Sequence, residues 1–295
     1  MTATGTTRRQ FLATAGGLAA GSAISDAAGL HVHQEANPPP FRLGIVTYNI
    51  AARWDLSTIL KVCRAVGLYA VELRTTHKHG VEPDISAARR REVRQAFADA
   101  GVVLWGYGTV CEFHAPDPAE VRRNIELCKR FVQLAADTGA KGVKVRPNGL
   151  PREVPAEKTL AQIGRALREC GQAAEQAGVE IWVEVHGAGT ALPHNMKTIM
   201  EHCHHSHVGI TWNSNDTDLI NGSLAAGFAM LRPWIRSCHI NELYRPYPWR
   251  ELFRLLRDMH YDRVTLAEIP GMPDPDSGER LLRYYKALWA ELARG

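Results

Sequence analysis

The residues of this sequence whose types and spacing best suit chemistry are four polar side chains at or just beyond the ends of short apolar runs: Glu184, Asn213, His239 and Glu268. In the first of these runs, 179–185, every second residue is apolar, which is the period of a β-strand. Trp182, Glu184 and His186 therefore share the other face of that strand. An ionised carboxylate in an apolar strand is costly unless it is paired or binds a metal ion, so Glu184 is a candidate site residue.

Together, these four residues offer two carboxylates, one carboxamide and one imidazole. Such a set of oxygen and nitrogen ligands suits Mn²⁺ or Co²⁺, and Mg²⁺ or Zn²⁺ also accepts it. A metal ion would keep Glu184 and Glu268 ionised where burial would otherwise favour their neutral forms. We therefore predict one divalent metal ion, with Mn²⁺ or Co²⁺ favoured, bound by these four residues.

The elements that must position these residues repeat one pattern from residue 41 onward: a short apolar run, a turn and an amphipathic helix. The predicted strands cover 42–49, 69–73, 102–109, 142–147, 179–186, 207–212, 235–240 and 264–269, and the predicted helices lie near 56–66, 84–100, 118–138, 156–177, 193–204, 222–232, 247–259 and 276–292. Strands that alternate with helices are parallel. The strand count and the chain length favour an α/β fold of the closed, eight-stranded (β/α)₈ TIM-barrel type over an open sheet.

In such a barrel the carboxyl ends of the strands open on one mouth, where the chemistry takes place. Polar residues are concentrated at the predicted strand ends, and those expected to contact substrate are Glu72, Lys144, Arg146, His186, Trp212, Asn241 and, in the aromatic loop after strand seven, Arg245. Lys144 and Arg146 either bind oxygen atoms of the substrate or neutralise the glutamates. His186 either contacts a sugar hydroxyl or supports Glu184.

The N-terminus has the features of a twin-arginine (Tat) export signal. Arg8 and Arg9 precede a mildly apolar segment rich in small residues, 11–21, which is less hydrophobic than a membrane span. We assign residues 1–30 to this signal, 31–40 to a linker and 41–295 to the barrel. The signal predicts export to the periplasm or the extracellular space, without stable membrane association after its removal.

Composition indicates a globular protein and gives no sign of a nucleic-acid partner. The 295 residues are 45% hydrophobic and 22% charged, and the net charge of +4 is partly explained by the arginine runs 8–9 and 89–91. The six cysteines show no metal-binding or disulfide spacing. The histidine cluster 202–207 precedes strand six, so we expect it at the rim opposite the catalytic mouth. Assembly into a homo-oligomer is left open by the sequence.

Several motifs together resemble the xylose-isomerase-like barrel superfamily, the group of sugar phosphate isomerases and epimerases, over residues 41–292. The motifs are Gly67–Leu73, Trp182–Gly187, Val208–Asn213, Cys238–Ile240 and Ala267–Ile269. The resemblance implies that a Glu, an Asp, a His and a Glu on strands five to eight bind one divalent metal. It also implies that the two glutamates, Glu184 and Glu268, act as acid and base on the substrate.

The chain departs from the family pattern at strand six. Asn213 stands where the family usually has Asp, and this removes one negative charge from the ligand set. Asp216 stands where the family often has His, and Asp218 follows it closely. Either aspartate is a candidate to restore the missing charge.

The first functional hypothesis is a divalent-metal-dependent sugar isomerase or epimerase, in which a glutamate removes a proton next to a carbonyl and an enediolate forms. The alternative is a keto-glycoside lyase or hydratase that uses the same site for β-elimination. Two further classes are less favoured: a metal-poor sugar-binding module and a nuclease resembling apurinic endonucleases. The expected partner is a small-molecule sugar or glycoside.

Overall fold

The computed structural model describes residues 38–294. The proposed export signal, 1–30, and most of the linker lie outside the described residues. The strands are β1 Arg42–Val46, β2 Ala70–Arg74, β3 Val103–Glu112, β4 Gly142–Arg146, β5 Glu180–Glu184, β6 Val208–Trp212, β7 Ile235–Ile240 and β8 Val264–Ala267. The helices are α1 Leu56–Val66, α2 Ala87–Ala100, α3 Pro118–Thr138, α4 Ala156–Ala177, α5 Pro193–Cys203, α6 Ala225–Leu231, α7 Trp249–Asp258 and α8 Pro275–Ala293. Short 3₁₀ helices cover Asp216–Asp218 and Arg232–Trp234.

The eight strands form one closed, all-parallel barrel in sequence order. Closure occurs between the first and last strands, where Ile45 of β1 is in register with Ala267 of β8 and, on its other side, with Val71 of β2. The helices between consecutive strands cover the outside of the barrel. The predicted (β/α)₈ TIM barrel is therefore confirmed.

Local sequence signals explain where the helices begin and end. Asp55 accepts a hydrogen bond from the backbone N–H of Thr58 and so caps α1, whereas Gly67 ends the helix in the left-handed conformation at φ 71°. The helix α3 is bounded in the same way by Asp117 and Gly139. These boundaries fix where each following strand starts, and therefore how far its carboxyl end reaches into the mouth.

Two stacked tryptophans fill the interior of the barrel beneath the mouth. The rings of Trp105 and Trp182 lie 5.1 Å apart, and Trp105 Nε1 donates across the barrel to Ser237 Oγ on β7 at 3.1 Å. Gly142 is required beside them, because a Cβ there would lie 2.6 Å from the ring of Trp182. This packed layer makes the barrel a solid support for the residues above it.

None of the helices in residues 38–294 combines the length and the apolar character that crossing a membrane would require.

Candidate metal centre and active site

Glu184, His239 and Glu268 converge at the carboxyl ends of β5, β7 and β8. His239 Nδ1 lies 3.6 Å from Glu184 Oε1 and 3.8 Å from Glu268 Oε2. One ligand atom from each of these three residues lies within 4.8 Å of the others, which is close enough for all three to hold one ion. The structure therefore brings together three of the four predicted metal ligands as a candidate metal centre.

Asn213, which follows β6, adds the fourth side chain. Its Nδ2 donates to Glu184 Oε1 at 3.2 Å. Its buried Oδ1 and the buried Nδ1 of His239 have no hydrogen-bond partner among the described residues. Buried polar atoms without partners are rare and costly, and both atom types are metal ligands. The residues present therefore fit a divalent cation.

Glu72 lies behind His239 rather than in the mouth. Its Oε2 is 3.3 Å from His239 Nε2, and both side chains are fully buried. A carboxylate on the second nitrogen of a metal-binding histidine orients the ring and leaves the first nitrogen free to bind. Glu72 does not line the cavity above the cluster, so the structure places this predicted substrate-binding residue beside His239 instead.

Lys144 and Arg146 both have acidic partners. Lys144 Nζ donates to Glu184 Oε2 at 2.7 Å, with both side chains buried, and Arg146 pairs with Glu112 at 2.5 Å. Of the two alternatives for Lys144, neutralisation of a glutamate is the one that the structure shows, and that glutamate is Glu184. Glu184 thus keeps one oxygen, Oε1, toward the candidate metal centre.

The pKa values of the two glutamates shift in opposite directions in the metal-free chain. Burial would raise the pKa of Glu184, but Lys144 and His239 hold it well below its usual value. Burial raises the pKa of Glu268. For His239, burial would lower the pKa, but Glu72 and Glu184 outweigh it and raise the pKa to about 10. Without a cation, the cluster therefore holds a proton on this histidine.

A cavity of about 330 Å³ opens directly above the cluster. Glu184, Asn213 and Glu268 form part of its wall, and three of the predicted substrate-binding residues also line it: His186, Asn241 and Arg245. His186 Nδ1 is buried and has no hydrogen-bond partner among the described residues. The cavity is of the size that small-molecule ligands occupy, and its polar groups face the candidate metal centre.

Trp212, a predicted substrate-binding residue, does not line this cavity. Its ring packs against Phe228 of α6 at 5.3 Å, and its Nε1 donates to Tyr247 Oη at 3.2 Å. Alternate residues of a strand point to opposite faces, so Trp212 points to the helices whereas Asn213 points to the mouth.

Neither Asp216 nor Asp218 restores the charge that Asn213 lacks. Asp218 is buried away from the cluster, where its Oδ2 accepts from Tyr247 Oη at 2.8 Å and from the backbone N–H of Asn215 at 2.9 Å. Burial raises its pKa to about 7. Asp216 is exposed. Neither belongs to the metal-ligand group found in the described residues.

Sequence reasoning missed two residues of the cavity wall, Asn215 and Glu242, which line it from the loops after β6 and β7. Tyr48 and Asn49, which the sequence places at the mouth end of the first predicted strand, line it from the loop after β1. Asn215 is held in place because its Nδ2 donates to the carbonyl of Val185 at 2.7 Å. The available signal was position, since each of these residues lies a few positions beyond a strand.

Comparison with known proteins agrees with this geometry. A family model described as the xylose isomerase-like TIM barrel matches residues 60–288. None of the curated protein sequences gives a significant match.

Three solved structures illustrate the likeness at the level of the fold. D-psicose 3-epimerase from Clostridium cellulolyticum H10, in complex with D-tagatose, has a TM-score of 0.74 and 14% identity, and the alignment covers 86% of this chain and 100% of that one. For 3-keto-D-glucoside 4-epimerase from E. coli the TM-score is 0.67 and the identity 15%, and the alignment covers 84% of this chain and 99% of that one. For a probable 3-DHS dehydratase from Bacillus anthracis the TM-score is 0.65 and the identity 14%, and the alignment covers 83% of this chain and 99% of that one. At this identity the likeness shows the fold alone.

Proposed function

Because the chain belongs to the xylose isomerase-like TIM barrel family, we propose that it is a divalent-metal-dependent isomerase or epimerase that moves a proton next to the carbonyl group of a sugar. The observation that carries the proposal is the cluster of Glu184, His239 and Glu268 at the floor of a polar cavity. The unpartnered Oδ1 of Asn213 beside it supports a metal ion, with Mn²⁺ or Co²⁺ favoured and Mg²⁺ or Zn²⁺ also suited.

The residues of the cluster divide the work of proton transfer. When bound, a divalent cation supplies positive charge that stabilises the enediolate. Glu268 lines the cavity, and burial raises its pKa, which makes its ionised form the stronger base of the two glutamates and suits it to take a proton from carbon. Glu184 lies on another strand and is held ionised, so the proton it returns would have to come from Lys144, whose ammonium group donates to it at 2.7 Å. His186, Asn241 and Arg245 would orient the hydroxyl groups.

A keto-glycoside lyase or hydratase is the second candidate. Lys144 holds Glu184 Oε2, so the two carboxylates are not equivalent, and Glu268 has the freer oxygens. A single dominant base suits β-elimination, in which one group removes the proton and the substrate loses a leaving group on the neighbouring carbon. The fold likeness extends to a probable dehydratase as well as to epimerases.

The two remaining classes are less well supported. A sugar-binding module without metal would leave the ligand atoms of Asn213 and His239 buried and unsatisfied. A nuclease resembling apurinic endonucleases would need a larger set of metal ligands. In residues 38–294 one group of three acidic or histidine side chains, Glu184, His239 and Glu268, lies close enough together to share a metal ion.

The test is a panel of keto-sugars and keto-glycosides incubated with Mn²⁺-loaded protein in deuterated buffer. We expect deuterium at the carbon next to the carbonyl, and its incorporation should be lost in Glu268→Gln. Retention of the leaving group indicates isomerisation or epimerisation, and its release indicates elimination. Absence of deuterium from every sugar, with metal bound, would refute the proposal.

We also propose that the protein is exported by the Tat pathway, because Arg8 and Arg9 precede a mildly apolar segment. Replacement of both arginines by lysine should keep the protein in the cytoplasm of the producing cell. Fractionation followed by immunoblotting measures this directly, and export of the double variant would contradict the assignment.

A further inference from the structure

A second, smaller cavity adjoins the cavity above the candidate metal centre. Its volume is about 110 Å³, against 330 Å³ for the main cavity. Asn241 and Arg245 line both cavities, so the two spaces lie on either side of these two side chains. A ligand that reached from the main cavity into the smaller one would pass these two side chains.

Two aromatic rings form the fixed part of the smaller cavity. Tyr247 and Trp249 are buried, and their ring centroids lie 4.6 Å apart. Tyr247 Oη donates to Asp218, and Trp249 Nε1 donates to the backbone carbonyl of Arg245 at 3.2 Å. These hydrogen bonds hold the rings in place before any ligand binds, which limits the entropy lost on binding.

The rim of the smaller cavity is polar and carries both signs of charge. Ser214, Asp216 and Arg245 supply a hydroxyl, a carboxylate and a guanidinium group. An aromatic surface bounded by donors and acceptors complements a sugar ring, which has apolar C–H faces and a hydroxyl edge. A phosphate group fits less well, because the carboxylate of Asp216 would repel it.

We propose that the smaller cavity binds the second ring of a glycoside whose reacting keto-sugar ring occupies the main cavity. The substrate class is then a keto-disaccharide or a similar keto-glycoside rather than a free monosaccharide. This inference rests on the proposed function, because it assumes that a sugar reacts above the candidate metal centre.

The test compares a keto-disaccharide with the keto-monosaccharide that contains the same reacting ring. Asp216→Trp places a bulky side chain in the smaller cavity, and Thr217→Trp is the matched control, because Thr217 is exposed and lines neither cavity. We expect wild-type kcat/KM for the disaccharide to exceed that for the monosaccharide about tenfold. Asp216→Trp should bring the ratio close to one without lowering kcat/KM for the monosaccharide, and Thr217→Trp should preserve the ratio.

Equal kcat/KM values for the two sugars in the wild type, or an unchanged ratio in Asp216→Trp, would overturn the inference and leave the proposed function standing. If neither sugar reacts, the proposed function fails for these substrates. The dissociation constants of both sugars, measured by calorimetry with the same Mn²⁺-loaded proteins, then decide on the smaller cavity. Equal affinities would overturn it, and tighter disaccharide binding that Asp216→Trp abolishes would support it.

Discussion

Both ends of the barrel interior hold a glutamate, half-buried Glu180 at one end and buried Glu184 at the other, but the oxygens of the two carboxylates are satisfied differently. Toward the amino-terminal ends of the strands, Glu180 accepts hydrogen bonds on both oxygens. Its partners are Trp182 Nε1 at 2.6 Å, Arg236 at 2.8 Å and Arg263 at 2.6 Å. Arg263 also lies over the ring of Trp105 at 5.2 Å. Every atom of this carboxylate is used within the protein, so its role is structural.

At the carboxyl-terminal ends of the strands, some buried polar atoms lack hydrogen-bond partners within the described residues. His186, Asn213 and His239 each keep one buried side-chain atom without a hydrogen-bond partner among the described residues. Burial of such atoms costs about 1–3 kcal/mol each. The fold can accept this cost where a ligand satisfies the atoms. The functional end of this barrel is therefore distinguished by buried polar atoms without hydrogen-bond partners, and not by the number of charged residues.

The largest effect should come from removing the carboxylate that lines the cavity. Glu268→Gln should lower the rate of deuterium exchange into the substrate about 10³-fold, because it removes a general base. Glu180→Gln makes the same chemical change at the other end and should leave the rate within about twofold. A rate loss of similar size in both variants would break the distinction between the two ends.

Metal removal should lower the free energy of unfolding only when the candidate metal centre at the mouth of the barrel is intact. Saturation with Mn²⁺ at about 100 times its dissociation constant should raise the free energy of unfolding by about 2.7 kcal/mol over the chelated protein. Urea titration with and without chelator measures this difference. In His239→Ala the difference should vanish, whereas in Glu180→Gln it should persist.

Loss of charge at the amino-terminal end should cost stability instead of activity. Glu180→Gln leaves Arg236 and Arg263 without their shared carboxylate, and we expect a loss of about 2 kcal/mol in the free energy of unfolding. The value is below that for a fully buried pair, because 22% of the Glu180 side chain is exposed. Chemical denaturation of the metal-free proteins measures it, and an unchanged midpoint would contradict the structural role.

Asp218 should make stability depend on pH. Burial raises its pKa to about 7 in the folded protein, against 3.8 for an unperturbed aspartate. The folded state therefore binds the extra proton, and the associated stability, present below pH 4, is lost as the pH rises through 7. Relative to Asp218→Asn, the wild type should lose about 2 kcal/mol of unfolding free energy between pH 5 and 7. Parallel pH profiles for the two proteins would show that Asp218 does not titrate in this range.

The smallest effect concerns the ligand that departs from the family pattern. Asn213→Asp adds a negative charge beside Glu184 and should strengthen Mn²⁺ binding about tenfold, or about 1.4 kcal/mol. The same change should destabilise the metal-free protein, because two like charges then lie close together. Calorimetric titration with Mn²⁺ measures the affinity, and weaker binding would show that Asn213 is not a ligand.

The fold could be predicted from the sequence because its signals are local. The bounds of α1, α3 and α4 agree with the predicted ranges, since capping aspartates and left-handed glycines mark several of these ends. Predicted strands agree to within a few residues. The largest differences are at β1, which ends at Val46, so that Tyr48 and Asn49 lie in a loop, and at β3, which continues to Glu112.

The site could be predicted only in part, because side-chain direction and partners across the barrel are not local. All five residues of β6 are buried, so the sequence shows no polar alternation from which to tell that Trp212 faces the helices. Glu72 and His239 come from β2 and β7, 167 positions apart, and no spacing rule joins them. The orientation of loop residues such as Asn215 depends on contacts with the preceding strand.

The central claim is that Glu184, Asn213, His239 and Glu268 hold one divalent cation. The most direct measurement is anomalous X-ray diffraction from crystals of the protein soaked in Mn²⁺. We predict one strong anomalous peak within about 2.0–2.4 Å of a side-chain atom from each of the four residues. A peak only at another site, such as Asp216 and Asp218 or the histidines 202–207, or no peak at saturating Mn²⁺, would contradict the account.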